Sequence, residues 1–311
     1  MVSAKYNKQK IEESFALAEK ILRKVSLTTV KKVESRLQGD YKSIFHGNGL
    51  DFKEIREYTI NDDVRNIDWN ATARLGRPHV RVYEEERDHT IWLILDVSQS
   101  MEFGSKFTTK KDVMINFAAL MGYLAYKKGD KTGAILFNQG IEDIIPPEKG
   151  IKQIYRIVTK LLDYKPAQKR TNEFNFSKLV KITGKKKTLF FISDFIFNDQ
   201  SWQKPFGEMV LKNDAIAVRI IDPVEENLPD IGYINLYDPE TGKALVINAS
   251  DRKIAEKYRE LVDEENKKTN EIFSILRLNP VKIYTNSDIA EVLINYRRQH
   301  CTASASNTPG L

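Results

Sequence analysis

Apolar residues recur along this chain in two rhythms, one near 3.6 residues and one of two, and their succession predicts the elements. Residues 8–23 place Ile11, Phe15, Leu17, Ala18, Ile21 and Leu22 at helical spacing and predict a first helix. Residues 50–60 alternate around Phe52, Ile55 and Tyr58, and residues 79–88 alternate in HVRVYEEERD, so both predict strands with one wet face. Between them NDDVRNIDWNATARLG is rich in charge but keeps Val64, Ile67 and Trp69, which predicts a short folded helical connection.

From residue 89 the alternation is regular. A strand at 90–96 precedes a helix at 106–127 with the apolar stripe Val113, Phe117, Leu120, Met121 and Leu124. Strands at 132–138 and 141–145 form a hairpin around Asn138-Gln139-Gly140, and helices follow at 150–163 and 174–183. Strands at 188–193, 214–221 and 281–285, a long helix at 250–277 and a last helix at 287–299 complete the series. Strands alternating with helices predict an α/β fold, a doubly wound, mainly parallel sheet covered on both faces. Residues 231–248 interrupt the order as two strands around Glu240-Thr241-Gly242, and are expected to leave the main sheet and join the strands near 50–60 and 79–88 in a small β subdomain. The predicted layout is an N-terminal helical region (1–45), a segment 46–88 forming the β subdomain with 228–248, a main domain (89–299) and a disordered tail (300–311).

At 311 residues the chain suffices for one large domain with a smaller companion, and 41% hydrophobic with 30% charged residues is ordinary for a globular protein. The net charge of +6 is spread over groups such as Lys110-Lys111, Lys127-Lys128 and Lys185-Lys186-Lys187 interleaved with acids, which reads as solvated surface rather than a nucleic-acid groove. The single cysteine, Cys301, excludes an intrachain disulfide and suits a reducing compartment. The first residues lack the apolar core of a signal peptide, and the longest uncharged apolar stretch, around Phe117 to Tyr126, is too short for a membrane span. A cytoplasmic location is expected.

The chemistry concentrates where the apolar run Ile91-Trp92-Leu93-Ile94-Leu95 ends in Asp96-Val97-Ser98-Gln99-Ser100. Ligands of parallel sheets sit beyond the carboxyl ends of the strands. A carboxylate and two hydroxyls at alternating positions there offer oxygens alone, which suits a hard cation such as Mg²⁺; the alternative is that Ser98 or Ser100 caps the next helix. The strand at 188–193 ends in Ser193-Asp194, and Thr171 lies in the loop entering the helix near 174, so two carboxylates and three hydroxyls can share one sheet edge.

The order Asp-x-Ser-x-Ser, then Thr, then Asp at a later strand end resembles the metal-ion-dependent adhesion site of von Willebrand factor A domains. The preceding segment, HGNGLDFKEIREYTINDDVRNIDWNATARLGRPHVRVYEEERD, with ISDF at 192–195 and YDPETG at 237–242, is similar to a bacterial family with such a domain, catalogued as domain of unknown function fifty-eight. The likeness covers residues 35–298. It implies a von Willebrand factor A-like, Rossmann-like fold, with Asp96, Ser98, Ser100, Thr171 and Asp194 as ligands of Mg²⁺ or Mn²⁺ in a site that is not always occupied. Phe195 stands where many adhesion-type domains have Gly, and Lys169-Arg170 replaces the usual Gly-Gly before Thr171, whose role as ligand or as helix cap stays open. The signature departs also at Asn61 and Thr72, where Gly and Ser are usual. Family members often carry membrane helices ahead of the signature; this chain shows none. Asp62, Asp63, Arg65, Asp68 and Arg74 are expected to form a partly buried ion-pair network with Trp69 as its packing anchor, the alternative being an interaction surface.

Because such families are often encoded beside MoxR-type AAA+ ATPases, the resemblance implies a non-enzymatic, metal-assisted interaction module. It would serve as adaptor or co-chaperone of such an ATPase, gripping an acidic residue of a client protein, with no role for nucleic acid. The competing class is an Mg-dependent hydrolase or phosphoryl-transfer enzyme. Against it, the chain has no GxxxxGK[ST] loop, its first main-sheet strand lacks Asp-x-Asp, and His46, His79, His89 and His300 show no ligand or triad spacing.

Overall fold

The computed structural model describes residues 13–14, 16–33, 52–59, 62, 64, 67–83, 89–106, 108–138, 140–166, 177–197, 202–237 and 244–305. In chain order the elements are β1 (Phe52–Glu57), α1 (Trp69–Leu75), β2 (His79–Tyr83), β3 (Thr90–Asp96), α2 (Lys110–Lys128), β4 (Lys131–Phe137), β5 (Ile141–Glu148) and α3 (Ile151–Asp163). They continue with α4 (Ser177–Thr183), β6 (Thr188–Ser193), α5 (Gln203–Lys212), β7 (Asp214–Ile221), a one-turn helix Pro223–Glu226, β8 (Tyr233–Tyr237), β9 (Ala244–Asn248), α6 (Arg252–Ile275), β10 (Val281–Tyr284) and α7 (Ile289–Ala305). A further helix at 16–33, π-helical over Val25–Val30, precedes them.

Six strands form one sheet in the order β10-β7-β6-β3-β4-β5. All pairings are parallel except β4 with β5, so the sheet is mixed only at that edge. Every residue of β3 and β6 is buried, because helices cover both faces and no position alternates into water. On one face Leu93 and Leu95 pack with Phe117, Leu120, Ile157 and Leu293 and with Ala18 and Leu22 of the N-terminal helix; on the other Trp92 and Ile94 meet Leu179, Phe206 and Phe273. The chain winds from β3 outward through β4 and β5, then returns to lay β6 on the opposite side of β3. This reversal puts the carboxyl ends of β3 and β6 side by side at a topological switch point, the place where doubly wound sheets hold ligands.

Local sequence explains the element ends. Thr109 caps α2 in a reciprocal box with Asp112, and Gly129 closes it at φ 79°, a left-handed backbone that favours glycine. At Gly133 in β4, a Cβ would lie 2.9 Å from Trp92 and from Pro147, so the close approach of these side chains requires glycine. The outer edge strand β5 carries Pro146-Pro147.

Three expectations need correction. β8 and β9 pair only with each other, and β1 pairs with β2, so among the described residues no joint β subdomain forms by strand pairing. Each pair satisfies its ladder internally, and an isolated bridge from Ile67 to Val80 is what joins the α1 connection to β2. The helix α5 is absent from the periodicity reading because Pro205 and Gly207 mark it as a break. The closing helix α7 runs through Ala305 rather than ending at 299. No helix among the described residues is long and apolar enough to cross a membrane.

Candidate functional site

Asp96 is the last residue of β3 and is almost fully buried. Its Oδ1 accepts from the Ser98 backbone N–H at 2.9 Å, which bends the chain out of the strand. Its Oδ2 accepts from the Ser193 hydroxyl at 2.6 Å, tying the ends of β3 and β6 together. Ser98 and Ser100 are half-buried at the loop surface with their hydroxyl oxygens 3.0 Å apart. The turn Gln99–Glu102 starts at Ser98, but no side-chain hydrogen bond caps it, so the capping alternative does not describe Ser98.

Asp194 follows the end of β6 and is equally buried. Its Oδ1 accepts from the Ile196 N–H at 3.1 Å, and its Oδ2 from the Lys110 ammonium at 2.8 Å. The Ser193 hydroxyl also accepts from the Phe195 N–H at 2.9 Å, folding a tight turn in which Phe195 takes φ 57°. A bulky residue in that region is strained. The ring compensates by packing among Phe191, Trp202, Phe206 and Phe273.

Lys110, read from sequence as surface, is fully buried. Its Nζ bridges Asp194 and, at 2.6 Å, Oε1 of Glu225 in the one-turn helix Pro223–Glu226. Burial works against the ammonium, but the carboxylates of Asp194 and Glu225 outweigh it and hold the lysine pKa above its usual value. Burial raises the Glu225 pKa. At the end of β7, Asp222 is buried too, yet hydrogen bonds from the Ser105 N–H, Thr285 hydroxyl and Val224 N–H prevail and keep its pKa below normal. Lys110, Glu225, Asp222 and Arg219 were all missed in the sequence, where Arg219 is marked only as a charge interrupting an apolar strand and the others only by their places near helix and strand ends.

Asp96 is the electrostatic exception. No cation pairs with it among the described residues, and burial with the nearby charge of Asp194 pushes its pKa up to about 6. A buried carboxylate held ionised without a cation is costly. The Asp96 loop therefore fits a hard cation by charge and by its neutral hydroxyl oxygens. Asp194 fits less simply, because the Lys110 ammonium already sits on its Oδ2 and the Ile196 N–H on its Oδ1. No closed cage of three or more His, Cys, Asp or Glu side chains occurs among the described residues. Thr171 lies outside the described residues. His89 lies at the opposite, amino end of β3.

The charged signature serves local structure. Asp62 pairs with Arg56 at 2.6 Å and accepts from the Thr59 N–H and hydroxyl, bonds that draw its pKa down to about 2. Asp68 caps α1 by accepting from the Asn70 and Ala71 N–H groups. Trp69 is 71% exposed and so is not a packing anchor, and Arg74 is exposed on the last turn of α1. Asp63 and Arg65 lie outside the described residues.

Among known proteins, the uncharacterized protein Rv1480 of Mycobacterium tuberculosis is 30% identical over 224 residues, covering 71% of this chain and 70% of that one. The uncharacterized protein Mb1516 of Mycobacterium bovis matches to the same extent, 30% over 224 residues. Of solved structures, the conserved hypothetical protein BatB of Bacteroides thetaiotaomicron aligns over 70% of this chain and 99% of its own at 12% identity, with a TM-score of 0.40, too loose to define a shared fold. The family pattern described as protein of unknown function DUF58 matches residues 54–268, and with these relatives it establishes that the chain belongs to the DUF58 family.

Proposed function

We propose that this chain is a cation-assisted protein-interaction module with a von Willebrand factor A-like main domain, a binding protein rather than an enzyme. The observation that carries the reading is Asp96, a buried carboxylate without a cation partner among the described residues, set with the Ser98 and Ser100 hydroxyls at the switch point of the sheet. Asp96, Ser98 and Ser100 would hold Mg²⁺ or Mn²⁺, with Asp194 acting beside them through its ion pair with Lys110. A bound divalent ion supplies an electrophilic position that an acidic side chain of another protein can occupy. Neutral hydroxyls support this because they hold the ion without cancelling its charge. The protein's own groups do the rest: Ser193 orients Asp96, and the paired Lys110 keeps Asp194 fixed. The sequence resemblance supports the partners, a MoxR-type AAA+ ATPase and an acidic client, with the chain as adaptor in the cytoplasm.

Mn²⁺ titration followed by calorimetry tests the ion, and pull-down of the ATPase with and without chelator tests the partner. Binding of Mn²⁺ that disappears in a folded Asp96→Asn variant, together with capture that chelator abolishes, is the expected result. Unchanged Mn²⁺ binding in that variant, or capture indifferent to chelator, overturns the reading.

A further inference from the structure

Beyond Asp194, on the side away from Asp96, a cavity of about 520 Å³ opens between the ends of β6 and β7 and the overhanging helix α6. That size lies within the range of ~300–1,000 Å³ typical of small-molecule sites. Of the 24 residues of α6 only Thr269 and Phe273 are buried, so the stretch from Tyr258 to Ile272 roofs the space without filling it. Leu261, on that roof, is left 52% exposed although it faces the cavity. Phe197, Trp202 and Ile272 give the space an apolar wall.

The floor carries Arg219, 6% exposed. Parallel pairing sets it opposite Ser193, and its Nε donates to the Asp194 backbone carbonyl at 3.1 Å, which fixes the guanidinium. No carboxylate lies within ion-pair distance of it among the described residues. The acids bordering the cavity already have donors. Asp194 holds Lys110 and the Ile196 N–H, and Glu225 holds Lys110 and the Asp222 N–H. Glu226 accepts from the Tyr284 hydroxyl, and Glu265 pairs with Lys268. Among the described residues lining the cavity, the end of the Arg219 guanidinium is the cationic donor left without a paired carboxylate. A planar fork with two N–H groups matches a carboxylate in bidentate geometry. The neighbouring acids, although bonded, disfavour more than one negative charge on a guest.

We propose that this cavity binds a monoanionic organic carboxylate with an apolar or aromatic body, its carboxylate on Arg219 and its body against Phe197, Trp202 and Leu261. The site is separate from the Asp96 loop and needs no metal. A free acid and the carboxyl terminus of a peptide present the same group.

Calorimetric titration with phenylacetate and with its neutral amide, in chelator throughout, tests the site. A second arm compares a short peptide ending in Phe with its amidated form. The expected result is binding of phenylacetate at least about tenfold tighter than the amide, the difference that one charge-assisted pair supplies. Arg219→Met is expected to erase that preference and Arg219→Lys to keep part of it. Should Arg219→Met fail to fold, the acid-against-amide comparison in the unaltered protein carries the test. Peptide binding that also needs the free carboxylate widens the guest to chain ends; failure of the peptide alone restricts it to small acids. Equal binding of acid and amide, no binding of either, or an unaltered preference in folded Arg219→Met overturns the proposal.

Discussion

The ammonium of Lys110 lies 2.8 Å from Oδ2 of Asp194, and neither side chain is more than 2% exposed. A lysine from the first turn of α2 thus pairs with one of the two carboxylates at the switch point, sharing its charge with Glu225, while Asp96 has no cation partner among the described residues. The site is divided electrically: one acid has a tethered cation, and the other has no cation partner among the described residues.

Removing the tether should expose the cost of the buried acids. Lys110→Met leaves Asp194 without its counter-charge, and breaking a buried pair from one side costs about 3–5 kcal/mol. Urea unfolding should show that loss. The double variant with Asp194→Asn should recover part of it, and excess Mg²⁺ should stabilise Lys110→Met more than the unaltered protein, since Asp194 is then free to meet the ion.

Asp96 predicts a specific pH dependence. Its pKa is raised from 3.8 to about 6 on folding, so the folded chain binds a proton more tightly than the unfolded one. This group therefore lends stability below pH ~4 and loses it as pH rises toward about 6, by roughly 3 kcal/mol in total. Asp96→Asn has no such proton to gain or lose. In chelator it should be more stable than the unaltered protein at neutral pH and lose that advantage near pH ~4, whereas Mg²⁺ should stabilise only the unaltered chain. Unfolding curves at several pH values check the sign.

The sheet's centre should tolerate little. Leu93, fully buried in β3, is expected to cost about 2–5 kcal/mol on truncation to Ala. Gly133→Val should also destabilise, by roughly 1–3 kcal/mol, since its side chain would collide with Trp92 and Pro147. Chemical denaturation measures both.

The signature offers a contrast between structure and recognition. Asp68→Ala removes the α1 cap and should cost about 1 kcal/mol. Trp69→Ala, at an exposed position, should change stability by less than about 0.5 kcal/mol. If Trp69 contacts a partner, the second variant alone should weaken ATPase capture in the pull-down.

The main sheet was legible in the sequence because each strand is a short apolar run bounded by turn residues, and Asp96, Ser98, Ser100 and Asp194 announce themselves by falling at strand ends. What stayed hidden has a common physical cause: it depends on neighbours distant in the chain. Lys110 looks like its neighbour Lys111, yet Asp194 and Glu225 draw it inside. Arg219 sits within the apolar strand AVRII, where pattern alone marks it as an interruption. The charges around Trp69 suggested a buried network, whereas Asp62 found its partner in Arg56, on the strand before.

Both borders of the six-stranded sheet resist extension. On one, the Pro146-Pro147 pair of β5 removes an amide hydrogen that a chain lying alongside would need; on the other, β10 runs only from Val281 to Tyr284. Backbone zippering of another strand along either border of this sheet is thereby discouraged.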